Sequence, residues 1–266
     1  MPKIAITGKG GVGKTTLAGL LSRIYAAEGH KVLAVDADPD ANLASSLGFP
    51  EEVAARIVPI AEMKDLIEER TGAKPGTMGG MFKLNPRVDD IPDRFCARYN
   101  GVALLQMGTV KSGGGGCICP ESVLLKQLMR HLLVQRQEYV ILDMEAGIEH
   151  LGRGTAQSVD AMLVVVEPGR RSIQTAETVQ RLAADLGLRR VYAVGCKVHG
   201  EAERDFLLEN VRGLPILGFI SYSSLIVEAD LRGVSAYELD SGAVAEVSQI
   251  RDRLEELLAA DKPSHE

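Results

Sequence analysis

Lys3-Ile-Ala-Ile-Thr7-Gly8-Lys9-Gly10-Gly11-Val12-Gly13-Lys14-Thr15-Thr16 is the stretch that decides the fold. Its first five residues form a short apolar run rich in β-branched side chains, which reads as a buried parallel strand. Glycines follow at once. From Thr15 to Glu28, Leu17, Leu20, Leu21 and Ile24 recur at helical spacing, and Gly29 ends the helix. A glycine loop between a strand and a helix is the context in which Gly8-x-x-x-x-Gly13-Lys14-Thr15 binds phosphate. The backbone of Gly8, Gly10, Gly11, Val12 and Gly13 can curl into an anion nest, and the helix N-terminus adds partial positive charge.

Lys14 brings a full charge to the β- and γ-phosphates of a nucleotide, and Thr15 offers a hydroxyl to Mg²⁺. Asp143 ends the strand Tyr139-Val-Ile-Leu-Asp143, where a carboxylate is placed to hold the Mg²⁺ hydration shell. Asp36-Ala-Asp38-Pro39-Asp40 closes another strand. Three carboxylates in five residues repel one another unless a cation or solvent screens them. We read Asp36 as a Mg²⁺ partner, partly through water, and Asp40 as a cap for a helix beginning at Ala41.

Further strands are expected at Lys31–Asp36, Val102–Met107, Ala161–Glu167, Val191–Gly195 and Ile216–Ile220. Helices are expected at about 41–47, 63–70, 120–135, 175–186 and 243–259. Strands alternating with helices imply an α/β fold with a mostly parallel sheet covered on both faces. Residues 1–260 read as one domain. An irregular insertion spans about 72–100, and a polar tail follows at 261–266. With 266 residues, 45% of them hydrophobic and 25% charged, the chain can bury one sizeable core. The formal net charge of -6 argues against nucleic acid or an anionic membrane as partner. Neither a signal peptide nor a membrane-length apolar run is evident, so the expected compartment is the cytoplasm. There Cys96, Cys117, Cys119 and Cys196 are expected as thiols.

These motifs resemble the signature-lysine P-loop ATPases, the group of MinD, ParA and the nitrogenase iron protein. The match is Lys9-Gly-Gly-Val-Gly-Lys14-Thr15-Thr16. The resemblance implies hydrolysis of ATP to ADP in a nucleotide-sandwich homodimer, with Lys9 reaching the phosphates held by the other subunit. It implies that Asp38 activates water. It also implies that the Gly147 backbone, in Asp143-Met-Glu-Ala-Gly147, senses the γ-phosphate. Within the group the chain is most similar to the CooC-type nickel-insertion ATPases of carbon monoxide dehydrogenase and the related AcsF proteins of acetyl-CoA synthase. Asn85–Pro92, Cys117-Ile-Cys119-Pro120 and Asp143–His150 carry that likeness. Two positions depart from the group's pattern. Cys196-Lys197 stands where an Asn-Lys pair is usual, and Ser221 where a proline is common. Lys197 keeps the lysine of that pair, and the expected consequence is a weaker base preference.

Residues i and i+2 of an extended segment share a face, so Cys117 and Cys119 can present two thiolates together. A two-fold axis would gather four. A tetrahedral set suits Zn²⁺ and a square-planar one Ni²⁺ or Cu²⁺, and the spacing leaves this open. The other readings of the pair are two buried thiols in a glycine-flanked turn or a subunit-bridging iron–sulfur cluster. The nitrogenase iron protein ligates its cluster partly through a cysteine after the second-switch aspartate, and none follows Asp143 here. His150 and His199 are assigned no metal role.

The function expected is an ATP-hydrolysing nickel metallochaperone serving carbon monoxide dehydrogenase or acetyl-CoA synthase. Its alternatives are a MinD- or ParA-like positioning ATPase and an electron-transfer ATPase with a bridging cluster. The C-terminal helix speaks against membrane positioning, because Glu246, Asp252, Glu255, Glu256 and Asp261 outweigh Arg251, Arg253 and Lys262.

Overall fold

The computed structural model describes residues 1–76, 81–109, 119–148 and 151–260, with the side chain of Arg153 excepted. In chain order the elements are β1 (Lys3–Gly8), α1 (Lys14–Ala27), β2 (Val32–Ala37), α2 (Leu43–Ser46), α3 (Glu51–Ala54), α4 (Lys64–Thr71) and α5 (Ile91–Phe95). Then follow β3 (Ala97–Tyr99), β4 (Val102–Gln106), α6 (Pro120–Val134), β5 (Tyr139–Met144), α7 (Arg153–Ala156), β6 (Ala161–Val166) and α8 (Arg170–Asp185). The chain continues through β7 (Val191–Val198), α9 (Glu201–Asn210), β8 (Ile216–Ser221), α10 (Ser224–Arg232), α11 (Ala236–Leu239) and α12 (Ser241–Ala260).

The strands form one sheet in the order β3-β4-β2-β5-β1-β6-β7-β8. Every neighbouring pair is parallel except β3 with β4. Strand side chains alternate between the two faces, so each strand feeds two cores. On β1, Ala5 joins the core that also holds Leu124 and Leu128 of α6 and Ile173 of α8. Ile4 and Ile6 join the opposite core with Leu17 and Leu21 of α1 and Val247 and Ile250 of α12. The alternating βα pattern thus yields the expected doubly covered sheet.

Several elements lay outside the sequence expectation. β3 is three residues long and runs antiparallel at one edge, inside the stretch read as an irregular insertion. α9 buries only Leu207 and α10 only Ala229, so neither carries an apolar stripe to announce it. α8 begins at Arg170, five residues before the expected start, because Gly169 and the Ser172 hydroxyl organise its first turn. The helix expected from Ala41 starts instead at Leu43.

The β8 edge of the sheet is covered by side chains. On β8, the Arg253 guanidinium donates to the Leu217 carbonyl at 3.3 Å, and Glu246 accepts from the Ser221 amide at 2.8 Å and its hydroxyl at 2.6 Å. Among the described residues no helix is long and apolar enough to cross a membrane.

Candidate nucleotide site

The loop between β1 and α1 lies at the C-terminal ends of the strands. Gly8 and Gly13 are required by geometry. Gly8 has φ 150°, and a Cβ there would meet the Val165 carbonyl oxygen at 2.4 Å. Gly13 has φ 106°, and a Cβ there would lie 2.6 Å from the Cys196 sulfur. Gly13→Ala therefore combines backbone strain with a clash, and we expect it to cost about 2–4 kcal/mol. Thermal unfolding checks this. Adding Cys196→Ala should recover the steric part and leave the strain.

Lys14 opens α1 and is 7% exposed at its side chain; its ammonium pairs with Asp38 Oδ2 at 3.5 Å. Ser46 of α2 donates its hydroxyl to the Thr15 carbonyl at 2.9 Å, which ties the first turn of α1 to the segment after β2. Lys197, in the left-handed region with φ 58°, donates to the Gly11 carbonyl at 2.6 Å. Lys9 pairs with Glu167 at 3.1 Å across the end of β6. Thr16 follows within the first turn of α1.

Strand register brings the acidic residues together. Asp36 of β2 aligns with Asp143 of β5, and Asp143 in turn with Ile6 of β1. Two carboxylates, 21 and 128 residues beyond Thr15, are thereby set beside the loop. Asp143 is fully buried; the Thr15 hydroxyl faces its carboxylate, and among the described residues no group meets either oxygen at full hydrogen-bonding distance. Burial raises its pKa to about 6, against the pull of the Thr15 hydroxyl and the Lys14 ammonium. Burial likewise raises Asp36 to about 7; the Leu43 amide opposes the shift and the Asp143 charge adds to it. A buried carboxylate faced closely only by a threonine hydroxyl, next to a second carboxylate, is a donor set that a divalent cation completes.

The expectation for Asp40 is corrected. Its side chain caps no helix, and α2 begins after Asn42. The Leu43 amide is taken by Asp36 Oδ2 at 3.0 Å, because the buried carboxylate reaches the helix start first. Asp38 accepts from the Asp40 amide at 3.0 Å.

Sequence reading missed four residues that hold this site: Thr7, Ser46, Glu167 and Ser172. Ser172 accepts from the Glu167 amide at 3.0 Å and so positions the carboxylate that meets Lys9. Thr7 is fully buried at the end of β1; it donates to the Glu145 carbonyl at 2.7 Å and accepts from the Gly147 amide at 3.3 Å. A polar residue closing an otherwise apolar strand was its only signal.

Of the expected metal cysteines, Cys117 lies outside the described residues. Cys119 is buried at the N-terminal boundary of α6, directly before Pro120. Burial lifts the thiols of Cys96 to about 12 and Cys196 to about 11, in keeping with unreactive packing residues. Among the described residues, no group of three or more His, Cys, Asp or Glu side chains is gathered to hold a metal.

A family model for the CobQ/CobB/MinD/ParA nucleotide binding domain matches residues 3–236. The chain belongs to this family. As a CobQ/CobB/MinD/ParA protein it is a P-loop ATPase, and the loop, strand order and acidic strand ends described above are the parts its fold contributes. It is 48% identical over 258 residues to the carbon monoxide dehydrogenase accessory protein CooC of Rhodospirillum rubrum, covering 97% of this chain and 95% of that protein. It is also 48% identical to an uncharacterized ATP-binding protein of Methanocaldococcus jannaschii, over 93% of this chain and 95% of that one. Among solved structures, the MinC:MinD cell division protein complex of Aquifex aeolicus is similar in fold, with a TM-score of 0.67 at 22% identity over 96% of each chain.

Proposed function

We propose that this ATPase is a nickel metallochaperone: it carries nickel on Cys117 and Cys119 of each subunit of a homodimer and delivers it to carbon monoxide dehydrogenase or acetyl-CoA synthase. The observation that carries this reading is the near-complete, 48% identical match to the carbon monoxide dehydrogenase accessory protein CooC. A second observation favours it over membrane positioning. α12 spends its apolar stripe, Val247, Ile250, Leu254 and Leu258, on the core, and so has no such face to offer a bilayer.

In this reading the backbone of Gly8 to Thr16 cradles the phosphates of ATP or ADP, and Lys14 leaves Asp38 to bind the β- and γ-phosphates. Thr15 would hold Mg²⁺, with Asp143 and Asp36 acting partly through its water. Magnesium supplies charge neutralisation on the phosphoryl oxygens. Asp38, released from Lys14, takes the proton of the attacking water. Lys9 leaves Glu167 and reaches the phosphates of the second subunit, Gly147 meets the γ-phosphate, and Lys197 braces the loop under the nucleotide. Closure of the dimer brings two Cys117-x-Cys119 pairs together; four thiolates can also take Zn²⁺. Hydrolysis loosens the interface and frees the metal.

The test is a titration of the metal-free, reduced protein with Ni²⁺, alone, with ADP and with adenylyl imidodiphosphate, followed by metal content and native mass. The expected result is one tightly held nickel per two chains, altered by nucleotide and lost in Cys117→Ser/Cys119→Ser. Equal nickel binding by the double variant would remove the metal reading and leave the ATPase.

A further inference from the structure

We infer that the Thr7 hydroxyl is a positioning group that holds the Gly147 amide turned into the protein and thereby sets the preference for ATP over ADP. The inference rests on the proposed reading of Gly147 as the residue that meets the γ-phosphate.

Thr7 is the last residue of β1 before the phosphate loop, so it belongs to the sheet and not to a mobile segment. It aligns with Val164 of β6, and its side chain is fully buried. Its hydroxyl carries one proton, which goes to the Glu145 carbonyl at 2.7 Å or the Gly147 carbonyl at 3.0 Å. In return it accepts from the Gly147 amide at 3.3 Å. The same amide donates to the Glu145 carbonyl at 2.7 Å, closing a tight turn. One side chain thus engages three backbone groups of the segment that follows Asp143. An N–H already shared between two acceptors is not available to a third.

The consequence differs between nucleotides. ADP has no γ-phosphate and leaves this turn as it is. ATP must open the turn before its γ-phosphate can take the Gly147 amide, so the hold exerted by Thr7 is charged to ATP alone. Thr7→Val keeps the shape and removes the hydroxyl. It removes the hydroxyl that the buried Gly147 amide and carbonyl share, leaving the turn held only by the Gly147 amide's bond to the Glu145 carbonyl, which weakens the inward turn. Thr7→Ser keeps the hydroxyl.

The experiment measures the affinity of the full chain for Mg²⁺·ADP and for Mg²⁺·adenylyl imidodiphosphate, in wild type, Thr7→Val and Thr7→Ser. For Thr7→Val we expect affinity for the analogue relative to ADP to rise about fivefold or more, the size of one buried hydrogen bond. Thr7→Ser should stay near wild type. An unchanged or lowered ratio in Thr7→Val overturns the inference. A measurement on wild type alone covers the case in which the valine variant does not fold. Labelling alanine carbonyl carbons and glycine nitrogens singles out the amides of Gly19 and Gly147, each of which follows an alanine. The Gly147 resonance should be left in place by ADP and displaced by the analogue. If the analogue binds and that resonance does not move, the γ-phosphate reading of Gly147 fails and this inference with it. If it moves while the affinity ratio of a folded Thr7→Val is unchanged, only the role of Thr7 fails.

Discussion

Asp38→Asn should lower ATP turnover by about 10²- to 10⁴-fold while leaving nucleotide affinity nearly intact. The carboxylate sits in the segment after β2, 3.5 Å from the Lys14 ammonium. The pair has two consequences. Lys14 is held beside the loop in the nucleotide-free chain, and Asp38 is held away from the work proposed for it until phosphate takes the lysine. Asparagine can still accept from the Asp40 amide, so the local turn survives. It cannot take a proton from water. It also no longer competes with phosphate for Lys14, so ADP should bind as well as before or slightly more tightly. Single-turnover hydrolysis at saturating ATP and Mg²⁺, beside an ADP titration, separates the two effects. Hydrolysis within about threefold of wild type would assign proton transfer to another group.

Asp143→Asn is expected to stabilise the metal-free protein and abolish its response to magnesium. The sign follows from the direction of the shift. Asp143 titrates at about 6 in the folded chain against an ordinary value of 3.8, so the folded state holds the proton more tightly than the unfolded one. The favourable contribution is complete below about pH 4 and is lost as pH rises through 6. Above that, wild type bears the whole cost of an ionised, buried carboxylate, about 3 kcal/mol for a separation of this size. Asp36, raised to about 7 and aligned with it, titrates over an overlapping window and is relieved in part by the same substitution. Chemical denaturation in a chelating buffer should therefore show the variant more stable than wild type at pH 8, with the difference closing toward pH 4. Adding Mg²⁺·ADP should raise the melting temperature of wild type more than that of the variant, and the variant should no longer hydrolyse ATP. Equal stability at pH 8 together with an intact magnesium response would remove Asp143 from the cation site. This gain on removing charge follows from a site that is costly when empty and satisfied when loaded.

The phosphate loop was legible because its chemistry is local. Gly8 to Thr15 lie within eight residues, and the glycine spacing carries the geometry by itself. Asp143 and Asp36 were legible because each ends an apolar strand, and parallel strands of one sheet present such ends on one side. Most of what sequence reading missed depends on partners distant along the chain; Ser172, which meets Glu167 five residues back, is an exception. Thr7 meets Glu145 and Gly147, and Lys9 meets Glu167, each well over 100 residues away. Asp40 was misread because a capping carboxylate is inferred from adjacency, while Asp36 reached the Leu43 amide from seven residues back. α9 and α10 escaped because a helix lying mostly in solvent has no periodic apolar face. β3 escaped because three residues cannot establish an alternation.

An open sheet presents two rows of unused backbone groups, which invite other chains to add strands and aggregate. Here one margin is a three-residue antiparallel strand with Arg98 exposed in its middle. At the other, α12 occupies the β8 backbone, Arg253 taking a carbonyl and Glu246 an amide. Strand-by-strand growth is blunted at both margins. Two copies meeting at their loop-bearing surfaces, as proposed above, would leave those margins undisturbed, so that pairing and parting with each round of ATP would not risk an irreversible fibre.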